Sequence, residues 1–404
     1  MAVQLKTVVK ISIIASDLSS SGAGRWGGAV RPFLLSQALE KIGYEVEILG
    51  FVDENSPKNI TQEKVPIIAI PTPKYYPQFL LSAQKLLKQI SGDIIYAYKL
   101  KPTSLGLALW KKRQTGCPVF LDIDDWELSW HGGDNWQYRP SLKQFIRDIL
   151  KPEGALRQPD NPIYLKWIEN FVSQADRVTL HNQFLQKRFG GVYLPNGKDI
   201  DLFDPNKYDP EVSRERYGLK DYRILMFPGA PRPYKGVEDV LIALEKLNQP
   251  DLKLAIVGGS PYDDYDRQLT EKWGKWIIKM PKYPPAQMPE IVAAAHIIVV
   301  PQRNNPAAKA QFPLKLTDGM AMAKPIIATK VGDIPEILGD TGYLVEPSSP
   351  LEIAEKIQLI FNDLTAANAR GKKARKRCKE FYSIDAMAAI LSKLINSYSF
   401  HEIN

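Results

Sequence analysis

The chain has 404 residues, 44% of them hydrophobic, 24% charged and 10% aromatic. That length predicts two or three domains with cores large enough to need no metal or disulfide staple, and the composition excludes collagen-like, disordered and disulfide-framework classes. The net charge of +8 favours anionic partners such as phosphates, nucleotides, anionic lipid headgroups or nucleic acid, while two cysteines (Cys117 and Cys378) and four scattered histidines make no metal cage, and so few cysteines fit a reducing compartment.

Short Val- and Ile-rich runs at 8–15, 45–51, 65–71, 93–99, 118–124, 177–181 and 192–196 alternate with helical-period segments such as 29–41 and 77–90. The runs show little polar alternation, as expected of parallel strands covered on both faces by crossover helices. The loop after the first run, 19–29, is glycine-rich and leads into a helix. Bare amides next to a helix start suit a phosphate, although the loop is neither G-x-G-x-x-G nor a Walker loop. Between 126 and 162 the rhythm breaks. No strand is predicted there, Trp126, Trp130, Trp136 and Tyr138 cluster, and 139–150 reads as a basic amphipathic helix. That helix is either an ordinary surface helix or an acceptor- or membrane-surface element.

The polar, proline-bearing stretch 204–210 reads as a linker and hinge. The alternation then restarts with runs at 223–229, 252–258, 276–281, 296–302, 325–330 and 342–347, and the rest beyond 350 reads as helices. The fold class is therefore α/β, with two doubly wound parallel-sheet domains facing across a cleft. The basic run at 370–379 reads as a solvated helix face. No run of about 18 apolar residues occurs, so no membrane-spanning helix is expected.

In such sheets ligands bind beyond the carboxyl ends of the strands. After the run at 223–229, Arg232 and Lys235 sit in a proline-stiffened loop just before a helix, where two fixed cations suit a diphosphate. Pro313 can start a further helix, leaving the amides of Leu314 and Lys315 free in its first turn. Asp318 nearby could accept from a diol such as a ribose. The triplets Asp122-Ile-Asp124 and Asp264-Tyr-Asp266, the second placed in an exposed loop, read as chance matches to a metal-diphosphate motif, so no metal is expected.

These residues carry a resemblance. Lys235-Gly236, Asp318-Gly-Met-Ala-Met-Ala-Lys-Pro-Ile-Ile-Ala-Thr329, Val331-Gly-Asp-Ile-Pro-Glu-Ile-Leu338 and Gly342-Tyr-Leu-Val-Glu-Pro347 resemble glycosyltransferase family 4, as do Gly27-Gly28, 175–182 and 194–199 in the first half. Members of that family are retaining, nucleotide-sugar-dependent enzymes of the GT-B fold. The resemblance implies an N-terminal acceptor-side domain at 1–205, a C-terminal donor-binding domain at 206–382, and a last helix at 383–404 crossing back to the first. It implies that Gly27 and Gly28 fold onto the donor diphosphate and that Lys235, with Arg232, neutralises it. Arg232 is displaced from the commoner place directly after the glycine equivalent to Gly229. The turn Phe312-Pro313-Leu314-Lys315 would bind phosphate and sugar, Asp318 would hold the ribose, and Lys282 and Tyr283 would lie where the base is read.

Three departures stand out. The first glutamate of the family's E-x7-E pattern falls on Ala310, with Lys315 able to compensate in a P-x-K-x-x-D variant. The family's glycine before Lys324-Pro325 is Ala323. The position of a cleft histidine is taken by Asp124, so that Asp124, Asp125, Trp126 and Glu127 are expected on the acceptor side, the other reading of these carboxylates being a capped strand end. The expected activity is metal-independent sugar transfer, with front-face attack, to a saccharide, lipid-linked or small-molecule hydroxyl. The alternatives are a degenerate sugar-nucleotide-binding partner subunit and a nucleotide-sugar 2-epimerase. A cytoplasmic location, including the inner face of an anionic membrane, is expected, and nucleic acid is not, because no aromatic-basic recognition module is present.

Overall fold

The computed structural model describes residues 8–18, 30–53, 65–259 and 263–398. Gly27 and Gly28 lie outside the described residues. The chain divides into two compact units, one of residues 1–195 with 387–404, the other of 196–386.

The first unit is built on β1 (Lys10–Ala15), β2 (Glu45–Asp53), β3 (Ile67–Thr72), β4 (Ile94–Tyr98), β5 (Val119–Ile123), β6 (Arg177–Leu180) and β7 (Val192–Tyr193). All pair in parallel in the order β3-β2-β1-β4-β5-β6-β7. Ile13 of β1 lies level with Ile48 of β2 and Tyr96 of β4, all fully buried, which is why these runs are apolar without alternation. The order reverses direction between β1 and β4, so the crevice for a ligand opens past the ends of those two strands.

The helix Arg31–Lys41 after β1 buries its first residue. Arg31 donates Nε to Asp122 Oδ1 at 2.6 Å and Nη2 to Oδ2 at 2.7 Å. Thr179 donates to the same carboxylate at 2.7 Å, and Tyr96 shares a 2.7 Å hydrogen bond with Thr179. Asp122, the first carboxylate of the first D-x-D triplet, is thus a core residue whose charge is matched by Arg31.

The second unit contains β8 (Arg223–Pro228), β9 (Leu252–Val257), β10 (Ile277–Met280), β11 (Ile297–Val300), β12 (Ile326–Thr329) and β13 (Tyr343–Val345). They form a parallel sheet in the order β10-β9-β8-β11-β12-β13. Along β8, Ile224 and Met226 enter one core while Leu225 and Phe227 enter another, so both faces of the sheet are covered. The switch point here lies between β8 and β11. Both parallel sheets bear out the doubly wound reading.

Two segments differ from expectation. The stretch 204–210 is part of the second unit rather than a linker. Arg375, from the helix Leu364–Phe381, donates to Phe203 O at 2.6 Å, to Ala321 O, and to Asp204 Oδ1 at 3.3 Å. The basic run is correspondingly not just a solvated face, since Arg377 also donates to Ile337 O and Glu336 O at 2.8 Å each. Ala323 has φ 53°, the left-handed region that favours glycine, because the chain must turn from the helix Leu314–Ala321 into β12.

Two stability changes are expected. Asp122→Ala strands a buried guanidinium and should cost about 3–5 kcal/mol by urea unfolding. Ala323→Gly relieves a left-handed alanine, a gain of roughly 1 kcal/mol that a raised melting temperature would register.

Candidate active site

The loop after β8 leaves the strand at Gly229, whose φ of 138° no side-chain-bearing residue readily adopts. The same missing Cβ opens room on the strand end, where the nearest neighbour of such a Cβ would be Lys315 Cε at 3.8 Å. Lys315 is buried, with its ammonium 4.7 Å from the centroid of the Phe227 ring on β8. Lys235 donates to Ala230 O at 2.8 Å, which pins its side chain back across its own loop. Arg232 pairs with Asp263 at 2.6 Å. The loops from β8 and β11 are tied by a hydrogen bond from Arg303 N–H to Tyr234 O at 2.9 Å and a long one, 3.4 Å, between Gln311 and Tyr234.

Lys315 and Arg232 are both close enough to influence the charge of Lys235. Burial pushes the Lys235 ammonium well below the ordinary lysine range, and Lys315 and then Arg232 push it further. Burial brings Lys315 down to about 8, with Asp318 pulling the other way. The helix Leu314–Ala321 starts at this place. Its first intrahelical bond runs from Leu316 N–H to Pro313 O at 2.8 Å, so the amides of Leu314 and Lys315 precede the ladder. Cations and unladdered amides at a switch point make a site for a polyanion.

The other donor-side expectations are placed less uniformly. Asp318, one turn after Lys315, forms an ion pair with Lys198, both side chains being mostly buried. Lys198 itself packs over Phe203 at 4.2 Å, and its backbone N–H bonds to Tyr382 O at 2.7 Å. Phe312 is buried against Tyr382. Lys282 is exposed and Tyr283 lies edge-on to Tyr217, 5.6 Å between centroids, after the edge strand β10 and two strands from β8. Ala310 is buried and offers only a methyl group. Asp266, expected in an exposed loop, is on the helix Tyr265–Trp273, mostly buried and 3.4 Å from Lys279.

In the first unit, Lys99 leaves β4 at φ 75° and gathers the carboxylates that follow β5. Its ammonium lies 2.8 Å from Glu127, 3.4 Å from Asp125 and 3.6 Å from Asp124. Lys101 adds 3.4 Å to Glu127 and 3.6 Å to Asp160, and the Tyr98 hydroxyl donates to Asp124. Burial pushes Asp125 up to about 7, with Lys99 opposing and Asp124 and Glu127 assisting. Burial would raise Glu127 as well, but Lys101 and Lys99 outweigh it and hold it down to about 2. The three carboxylates are spaced closely enough for a divalent cation, yet the Lys99 ammonium already serves as their counter-ion. Trp126, expected on the acceptor side, is placed in the core: its ring is capped by Arg188 at 4.0 Å and its N–H is donated to Glu169 at 2.9 Å.

Lys99, Lys101 and Lys198 were not among the sequence candidates. Lys99 and Lys101 follow a strand run directly, and strand ends at a switch point are the signal that finds them. Lys198 lay within the matched segment 194–199, but its partner is 120 residues away.

Residues 209–377 match the model of the family described as glycosyl transferases group 1. The D-inositol 3-phosphate glycosyltransferase of Corynebacterium glutamicum is 29% identical over 423 residues, with 96% of each chain covered. The GDP-mannose-dependent alpha-(1-6)-phosphatidylinositol monomannoside mannosyltransferase of Mycolicibacterium smegmatis is 26% identical over 251 residues, covering 58% of this chain and 66% of that one. Among solved structures, Anabaena HepE in complex with UDP and glucose aligns with a TM-score of 0.74 at 17% identity, over 96% of this chain and 100% of that chain. That likeness carries the fold, which is GT-B, and the family match with the relatives supports a group 1-like glycosyltransferase.

The lowered Lys315 gives a pH expectation. A bound anion favours the charged ammonium, so above pH about 8 binding must draw in a proton, and affinity falls as pH rises through that value. Calorimetry with UDP or GDP, whose phosphates are already ionised, should show weaker binding and net proton uptake at about pH 9 relative to about pH 7.5. An affinity that strengthens over that range contradicts the cluster.

Proposed function

We propose that this chain is a retaining glycosyltransferase that moves a sugar from a nucleotide-diphosphate sugar to an acceptor hydroxyl without a metal. The observation that carries the reading is the convergence of Arg232, Lys235 and Lys315 on the end of β8 beside the first turn of the helix Leu314–Ala321. Breaking the anomeric bond builds charge on the departing diphosphate. Fixed ammonium groups and amides stabilise that charge as it grows, and need no reorganisation to do so. The metal-independent reading is supported by the donor set, because the groups around the anion site are themselves cations.

Retention and front-face attack, with the phosphate taking the acceptor proton, follow from the family that the motifs resemble. Asp318 is proposed to hold the ribose while Lys198 orients its carboxylate. Lys282 and Tyr283 are proposed at the base, and the backbone of Phe312, Pro313 and Leu314 at the phosphate and sugar. Gly27 and Gly28 are proposed to fold onto the diphosphate. On the acceptor side, Asp124, Asp125 and Glu127 are proposed to bind hydroxyls together with Lys99 and Lys101. The UDP in the Anabaena structure and the GDP-mannose named for the mycobacterial relative are consistent with a nucleotide-sugar donor. A saccharide, lipid-linked or small-molecule acceptor is proposed.

The reading of a sugar-nucleotide-binding partner subunit rests on Ala310, which is buried where the resemblance expects a glutamate. Detectable transfer by the purified chain eliminates it, and incubation with donor alone separates transfer from 2-epimerisation. A melting-temperature panel of UDP-, GDP-, ADP- and TDP-sugars identifies the donor; a hundredfold excess over Kd should stabilise the chain by about 2.7 kcal/mol. With that donor, Lys235→Ala is expected to lower kcat about 10²–10³-fold with the fold retained. Near-full turnover by that variant removes Lys235 from the machinery.

A further inference from the structure

The helix Leu142–Leu150 of the first unit is built inside out. Its apolar residues Leu142, Phe145, Ile146, Ile149 and Leu150 recur at i, i+3, i+4, i+7 and i+8, the spacing of a buried stripe. Yet they are 77%, 41%, 48%, 43% and 72% exposed. The one buried side chain on the helix is Asp148, which accepts from the Tyr138 hydroxyl at 2.8 Å. The orientation is held at both ends. Ser141 Oγ caps the Gln144 N–H at 3.2 Å, and Arg157 donates to Lys151 O at 3.1 Å. Gly154 fits so closely under the last turn that a Cβ there would meet Asp148 O at 2.1 Å. A polar anchor therefore faces the protein and the apolar stripe faces outward.

At 3.6 residues per turn the stripe spans an arc of roughly 140°. Lys143 and Arg147 follow along one edge of that arc, and Arg139 and Lys151 flank the two ends, all four exposed. Asp148 lies on the opposite side, 3.7 Å from Arg147. An apolar stripe with a basic border is complementary to a layer that is apolar inside and negatively charged at its surface. Long basic side chains beside the stripe can reach headgroup phosphates while their stems stay in the apolar layer.

We propose that this helix is the membrane-docking element of the chain, lying in the surface of an anionic lipid bilayer with Leu142, Phe145, Ile146, Ile149 and Leu150 inserted and Lys143 and Arg147 at the phosphates. Among the described residues no helix is long and apolar enough to cross a membrane, so the contact is in-plane. It goes beyond the transfer reading and is measured without turnover.

The test is cosedimentation of the full chain with vesicles of phosphatidylcholine alone or with roughly a third phosphatidylglycerol, at low and high salt. The wild type should bind the anionic vesicles, at least about tenfold less on neutral ones, and less at high salt. Ile146→Ser with Ile149→Ser should lower binding about tenfold, with melting temperature and donor binding unchanged. Lys143→Glu with Arg147→Glu should weaken binding and flatten its salt dependence. Failure of the wild type to bind anionic vesicles, or wild-type binding by the serine double variant, overturns the proposal. So does a wild type that ignores vesicles but goes from dimer to monomer on the serine substitutions, which would make the stripe a contact between copies.

Discussion

Like charges held near one another in a partly buried place are the constraint on which the second unit is organised. Lys315 and Arg232 both disfavour the charged form of Lys235. Each is kept in place by a local compensation: a carbonyl for Lys235, an aromatic face for Lys315, and a carboxylate for Arg232. A polyanion brought to this cluster would be attracted by all three at once. The scaffold serves that end. Gly229 clears the strand end, Pro313 starts the helix, and the strand order reverses between β8 and β11.

The first unit solves the opposite electrostatic problem. Four carboxylates close in sequence meet four different fates. Asp122 is neutralised inside the core by Arg31, Asp124 accepts from Tyr98, and Glu127 is held charged by two lysines. Asp125 shares Lys99 with its neighbours at 3.4 Å, and burial still raises it to about 7. Neighbouring letters of one type thus do different work, decided by which strand or helix supplies the partner.

That is also where reading the sequence stops short. The strands were legible because a continuous Val and Ile run needs no knowledge of its neighbours to be recognised. The places of Lys235 after a strand and of Lys315 at a helix start were legible because glycine and proline mark them locally. The pairings of Lys198 with Asp318 and of Arg188 with Trp126 join segments far apart in the chain, and no local signal announces them. The misreading of 204–210 has the same origin: proline and polarity look like a linker until Arg375, 171 residues later, fastens Asp204. Ala323 is the reverse case. The missing glycine was visible as a departure, but only the backbone shows that the left-handed turn is kept without it.

The helix Ile384–Asn396 has a consequence for how the chain is made. Residues from Met387 onward group with the first unit, where Tyr398 packs on Phe120 and Arg177 reaches Ser397 O at 3.0 Å. A ribosome therefore delivers most of the first unit early and this later piece of it only after the whole second unit has emerged. Until then the nascent protein carries an uncovered seam along β5 and β6, a window in which chaperones would find it before any substrate could.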